Sequence, residues 1–297
     1  MKKHRAMIIT FLLPASLLYL CFFLIPTIWA FYYSVFDWSG FSSEMKFVGL
    51  KNYRRLLLND PLFWRSFLNS IIILFVGGFF VFFLGFLLSV MINSGIKGKN
   101  FFRAFIFLPN VIATVALTTL WAWVIYSPQF GIIGKTLNLI GFHAASKFLW
   151  LAPNNVFNSM VIAIIWISVS YYVVLILAGM DKIPTDFYEA AKLEGANQFT
   201  IFRTITIPMI WDVVIVSSVL WGISALKTFE FPFSFMSSSE DPHLYTLNVY
   251  LFIMGFGKRQ PIYQLGYATA IGVILLIVVI IFNIAVRRIG GRDRLEY

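Results

Sequence analysis

Residues 148–208 read FLWLAPNNVFNSMVIAIIWISVSYYVVLILAGMDKIPTDFYEAAKLEGANQFTIFRTITIP. The run over 148–180 carries no charge and is longer than the roughly 20 residues a helix needs to cross the hydrocarbon core. The segment that follows is charged and too polar to continue it. Four more uncharged runs of spanning length occupy 6–36, 66–96, 104–134 and 260–286. A sixth span, 209–231, is free of charge only over 213–226 and is completed by admitting Asp212 near one end and Lys227 and Glu230 near the other. With 60% hydrophobic and 12% charged residues among 297, and a mean hydropathy of +0.83, the chain is excluded from the water-soluble globular class. The expectation is an all-α membrane protein of six transmembrane helices, folded as a single membrane domain over 1–297.

Basic residues orient it, because Lys and Arg are retained on the cytoplasmic side of short connections. Lys2, Lys3 and Arg5 precede the first span, Lys97, Lys99 and Arg103 follow the second, and Arg287, Arg288, Arg292 and Arg294 close the chain. Both termini are therefore expected in the cytoplasm, with 181–208 beside them and the loops 37–66, 127–156 and 232–262 outside. This topology and anionic lipid account for the net charge of +10. No basic patch interleaved with aromatics forms a platform for nucleic acid. Cys21, the one cysteine, falls within the first span as a buried small hydrophobe, and that span is too long for a secretory signal and is read as uncleaved. Outside, Asp60-Pro-Leu-Phe-Trp64 suits a compact interfacial loop, and the apolar 246–257, too short to span, should lie at the interface with Tyr250 and Phe252 or fold back on the bundle.

The charged segment predicts a helix, a bend and a helix. Pro184 suits a helix start, Thr185 and Asp186 can serve the exposed amides there, and Ala190 and Ala191 are strong helix formers. Gly195 permits a positive φ and so a sharp turn. Beyond it Phe199, Phe202 and Ile205 recur at three-residue spacing, with Phe199 and Phe202 expected to anchor this half to the membrane domain. Ala190, Ala191, Gly195 and Ala196 are small enough for a partner surface to come close.

No enzyme constellation is found. Gly131-Ile-Ile-Gly134-Lys135-Thr136 ends like a phosphate loop, but Gln129 stands where the first glycine is needed. His4, His143 and His243 have no partners at metal-ligand spacing, so neither a metal site nor a bound cofactor is expected in this chain. Five of the spans also lack the Asp, Glu or His relays typical of ion-driven carriers, so uphill transport would need energy from outside the chain. In the fifth span Ser217, Trp221, Ser224 and Thr228 recur at helical spacing, as a pore lining or as small residues for helix packing. In the fourth, Trp166, Ser168, Tyr171 and Tyr172 offer rings and hydroxyls for a sugar, or an aromatic belt. Lys227 and Glu230, three apart, can pair as a clamp or contact a cargo.

The pattern Glu189-Ala-Ala, Gly195 and Ile205-x-x-Pro208 resembles the cytoplasmic coupling loop of ABC importer permeases, here 181–208. The strings Phe47-Val-Gly-Leu-Lys-Asn-Tyr53 and Asp60-Pro-Leu-Phe-Trp64 resemble the start of the carbohydrate-uptake branch, related to maltose, glycerol-3-phosphate and oligosaccharide permeases and to the first of their two subunits. The resemblance implies six helices in the type I importer architecture and a partner set of a second homologous permease, ATP-binding subunits and an extracytoplasmic solute-binding protein. ATP and Mg would be held by the ATPase, and the cargo would be a sugar, with glycerol-3-phosphate or another small polar solute as the alternative and a self-sufficient carrier as the remoter one. It further implies that Glu189, Ala190, Ala191, Glu194, Gly195, Ala196 and Pro208 contact the ATPase, that Ser168, Tyr171, Trp221, Ser224 and Thr228 contact the sugar, and that the setting is the plasma membrane of a bacterium or archaeon. The chain departs from the family pattern at Glu194, where aspartate is usual, and at Glu240-Asp241-Pro242, where Gly-Gly-Pro is common; the second departure bears on docking of the delivery protein.

Overall fold

The computed structural model describes residues 2–94, 96–236, 241–258 and 260–291, with side chains from Thr10 onward. Glu240, Arg292, Arg294 and the side chains of Lys2, Lys3, His4 and Arg5 lie outside this description. The helices used below are α1 (Thr10–Ser34), α2 (Lys51–Asn59), α3 (Pro61–Asn93), α4 (Lys99–Val111), α5 (Thr114–Ile125) and α6 (Ile132–Leu139). They are followed by α7 (Val156–Met180), α8 (Thr185–Leu193), α9 (Trp211–Phe235), α10 (Leu247–Phe256) and α11 (Leu265–Gly290). Five of these, α1, α3, α7, α9 and α11, are long and apolar enough to cross a membrane, and α4 with α5 makes a sixth span if counted as one.

The chain forms two compact units, Met1–Trp64 with Tyr250–Ile277 and Arg65–Val249 with Val278–Tyr297. In the first, α1 leads into a short antiparallel hairpin, β1 (Phe36–Asp37) against β2 (Lys46–Phe47), with Phe36 opposite Phe47. Cys21 is exposed, contrary to expectation, because the apolar core of α1 buries none of its residues within this chain. The loop toward α3 is organised by Asp60, which is 9% exposed. Its Oδ1 accepts the Phe63 amide at 3.0 Å as a helix cap, and its Oδ2 accepts the hydroxyls of Tyr250, at 2.5 Å, and Tyr267. The Arg55 guanidinium lies 4.3 Å from the Tyr267 ring centre. Tyr250 is thus buried within protein, where its phenol is satisfied by a carboxylate. Within 246–257, Tyr250 and Ile253 are buried, as are Leu247 and Val249, which belong to the second unit.

In the second unit α3 and α7 pack closely because small residues line α3. Ser89 donates to the Val173 carbonyl at 3.2 Å, Gly85 faces Tyr172 and Ile176, and the space a side chain would take at Gly78 is filled by the Trp221 indole. That indole donates to the Leu74 carbonyl at 2.8 Å, joining α9 to α3. Trp211 donates to the Gly290 carbonyl at 2.8 Å, joining the start of α9 to the end of α11.

Two spans are interrupted. The third, expected to run straight through 104–134, turns by 95° between α4 and α5. Pro109 withdraws a donor, and Ile112 (φ −86°, ψ 135°) and Ala113 (φ −58°, ψ 138°) are extended. Within α9 the helical hydrogen bonding lapses between Leu226 and Glu230. The carbonyls of Lys227 and Thr228 are taken instead by Asn248 Nδ2 and Thr246 Oγ1, each at 2.9 Å.

Asp60→Ala should leave two buried phenol hydroxyls without their acceptor, at about 1–3 kcal/mol for each unsatisfied group. Thermal unfolding of the detergent-purified variant is expected several degrees below wild type, and an unchanged midpoint would discount the cluster.

Candidate functional site

Two regions of the second unit bring the sequence candidates together. The first is a cleft of about 470 Å³ at the interruptions, lined by residues from both sides of the α4–α5 bend and of the α9 break. Ser168, Trp221, Ser224 and Thr228 line it. Tyr171 does not line it and is exposed; three positions beyond Ser168 it stays within about 60° of the same helix face, so what separates it from the cleft is its place along α7, about 4.5 Å beyond Ser168, and not the turn of the helix. Ser217 is fully buried rather than lining a pore, and Thr228 reaches the cleft from the break rather than from the helix face it was assigned to. Among the described residues no ion pair joins Lys227 to Glu230; Glu230 accepts the Thr114 hydroxyl at 3.2 Å, and both charged residues line the cleft.

Asn110 and Thr114 were not anticipated. Asn110 donates to the Ser170 hydroxyl and to the Ile167 carbonyl at 3.4 Å, which holds the bend against α7. The available signal was Pro109-Asn110 inside an apolar run, a poor sequence for a straight helix.

The second region is the loop 181–208. α8 begins after Pro184, whose side chain and whose neighbours Thr185 and Asp186 provide no cap bond. The side-chain cap is instead at Asn197, whose Oδ1 accepts the Thr200 amide at 2.8 Å and starts the helix Gln198–Ile201. Gly195 has φ +77°, and nothing lies within 4 Å of where a Cβ would be, so glycine is needed for the backbone and not for space. Glu189, Ala190, Glu194 and Gly195 are exposed and Ala191, Ala196 and Pro208 half-buried. Leu193 is 89% exposed.

The second half is not anchored by Phe199, which is 70% exposed. Phe202–Thr206 forms a π-turn, whose wider period brings residues five apart onto one side, so Ile201 and Thr206 are buried where a three-residue spacing selects Phe199. Phe202 does pack inward, 5.7 Å from Phe86, at the edge of a cluster of Ile176, Met180, Ile183 and Ile210. Beside it a second cleft of about 440 Å³ is lined by Asn93, Lys99, Asp181, Tyr188, Glu189 and Lys192, among others. Asp181 meets Lys99 Nζ at 3.3 Å and Arg103 Nη2 at 2.6 Å. Partial burial pushes its carboxyl up, but the hydrogen bonds and charges of Arg103 and Lys99 outweigh this and hold it below the usual carboxylate range.

Helices that break where they border a polar cleft are the arrangement that membrane-spanning chains tolerate around a cavity. The chain belongs to the family of binding-protein-dependent transport system inner membrane components, whose family model matches residues 81–294. It is similar to the diacetylchitobiose uptake system permease protein NgcF of Streptomyces coelicolor, at 30% identity over 89% of this chain and 76% of that one. It is also similar to the trehalose/maltose transport system permease protein MalF of Thermococcus litoralis, at 29% identity over 94% and 92%. In fold it matches a chain of the bacterial alginate ABC transporter solved in complex with an alginate pentasaccharide-bound periplasmic protein, with TM-score 0.78 and 21% identity over 97% and 96%. It is therefore a multi-pass membrane protein and a transport subunit of the ABC importer permease type.

The Asp181 carboxyl has a lower pKa folded than unfolded, so the stability it contributes is present above the ordinary carboxylate pKa of about 3.9 and is lost as pH falls through the lower folded value. Asp181→Asn should consequently flatten the decline of the unfolding midpoint as pH falls below about 4. Parallel acid limbs for the two proteins would count against the pairing.

Proposed function

We propose that this chain is the membrane-spanning permease subunit of an ATP-driven sugar importer, moving an oligosaccharide by alternating access. The observation that carries this reading is the loop 181–208, which leaves Glu189, Ala190, Glu194 and Gly195 uncovered on a bend set by a positive φ while its inner side is held by Ile183, Ile201 and Phe202. Such a surface suits a separate motor, and the small side chains at Ala190, Ala191, Gly195 and Ala196 allow its close approach. Glu189 is the charged contact for a basic residue of that ATPase, Glu194 keeps the charge usual at its position, and Pro208 ends the loop. ATP and Mg stay with the ATPase. A second homologous permease, ATP-binding subunits and an extracytoplasmic solute-binding protein complete the importer, in the plasma membrane of a bacterium or archaeon with both termini and the loop on the cytoplasmic side. The names of two relatives, one for diacetylchitobiose and one for trehalose and maltose, support a sugar cargo.

The cleft supplies the chemistry a sugar needs. Hydroxyls of Ser168, Ser224 and Thr228, the Asn110 amide and the charged ends of Lys227 and Glu230 can exchange hydrogen bonds with a polyol, and Trp221, 4% exposed, offers the edge of an aromatic wall. Tyr171, outside this cleft, is left for a contact made in another state of the transport cycle.

In the assembled complex, Glu189→Lys should lower sugar-coupled transport by about tenfold or more, in line with the roughly 1.5–3 kcal/mol of a charged hydrogen bond. Full coupled uptake by that variant in proteoliposomes would sink the loop assignment. Ser224→Ala removes one hydroxyl from the cleft and should raise the apparent KM for sugar by about 2- to 10-fold, the equivalent of 0.5–1.5 kcal/mol, with little change in maximal rate. An unaltered KM would take Ser224 out of the binding wall.

A further inference from the structure

We propose that Asp181 is a positioning residue of the transport cycle: with Lys99 and Arg103 it fastens α4 to the entry of the loop 181–208, so that displacement of the loop reaches the cleft through α4 as well as α7. The proposal rests on the loop reading above. Asp181 is the residue that ends α7, and each of its carboxylate oxygens has its own cation, Oδ1 with Lys99 and Oδ2 with Arg103, both on the first turns of α4. Among the described residues Asp181 is the one carboxylate in an ion pair with Arg103, through Nη2, while the Arg103 Nε is buried with no hydrogen-bond partner. At the other end of α4, Asn110 is bound to the Ser170 hydroxyl and the Ile167 carbonyl. The helix is therefore attached to α7 twice, once at the loop and once at the cleft.

A single tether would allow α4 to pivot; two, separated by most of a helix, do not. The tether at Asn110 lies at the cleft wall, where Pro109, Asn110 and Ile112 stand opposite Trp221 and Ser224 along the same cavity. The tether at Asp181 lies on the cleft that also includes Glu189 and Lys192. A push delivered at Glu189 is thus shared by both helices, whereas without the ion cluster α4 would be free to lag at its loop end. An exposed ion pair is worth only a few tenths to about 1 kcal/mol in stability. The predicted consequence is accordingly in coupling efficiency rather than in folding.

The test uses the full importer complex in proteoliposomes, in a Cys21→Ser background, with Arg103→Cys and Asp181→Cys together. Sugar taken up per ATP hydrolysed should fall at least fivefold, recover when the two thiols are bridged by a short bifunctional reagent, and fall again when the bridge is reduced. Full coupling without the bridge, or no recovery with it, would overturn the proposal. If this variant fails to assemble, the charge exchange Asp181→Arg with Arg103→Asp decides: coupling above that of Asp181→Arg alone supports the clamp, and equal coupling refutes it. Adding Glu189→Lys to the bridged protein separates the two readings, since retained uptake there would refute the loop assignment and leave the clamp to be judged on the bridge alone.

Discussion

Backbone amides and carbonyls have no water to turn to in hydrocarbon, and each one left unpaired costs several kcal/mol. This constraint organises the second unit. It forces the apolar runs into helices and permits a break only where protein groups or a wet cavity can serve the freed backbone. Both interruptions obey it. Between α4 and α5, and between the two parts of α9, the irregular residues Ile112, Lys227, Thr228 and Phe229 all border the same cleft. Side chains of Thr246 and Asn248 take the carbonyls that α9 releases. The cleft and the breaks are thus one feature seen from two directions.

Close packing around the cleft follows from where the chain is small. Without a hydrophobic driving force between helices in lipid, contact depends on shape, and α3 supplies it with Gly78, Gly85 and Ser89. The Trp221 indole fits into the gap at Gly78 and bonds the Leu74 carbonyl, so the side chain that walls the cleft is also the one that joins α9 to α3. Trp221 is for that reason held in one orientation, and the neighbouring hydroxyls of Ser224 and Thr228 are presented from a fixed frame.

The helix α7 ties the two regions mechanically. Its 25 residues span about 38 Å at 1.5 Å per residue. Ser168, near the middle, stands at the cleft, while Ile176 and Met180 belong to the apolar cluster that seats the loop. In this arrangement the loop's inner side is part of the membrane bundle and its outer side is bare.

Five spanning helices, the charged break after α7 and the need for glycine at 195 could be read from the sequence, because each depends on local quantities: run length against bilayer thickness, charge against hydrocarbon, and φ against a Cβ. Four of the five sugar-contact candidates converge on one cleft for a related reason, since Trp221 and Ser224 share a helix face whatever surrounds it. Periodicity failed where the helix itself changed. The π-turn at Phe202–Thr206 moved burial from Phe199 to Ile201 and Thr206, and the 95° bend brought Asn110 and Thr114 to a wall that a straight helix would have placed elsewhere. Tyr250 with Asp60, and Asp181 with Lys99 and Arg103, were beyond local reading altogether. These partners are 78 to 190 positions apart, and which charge or hydroxyl meets which is decided only when the helices pack.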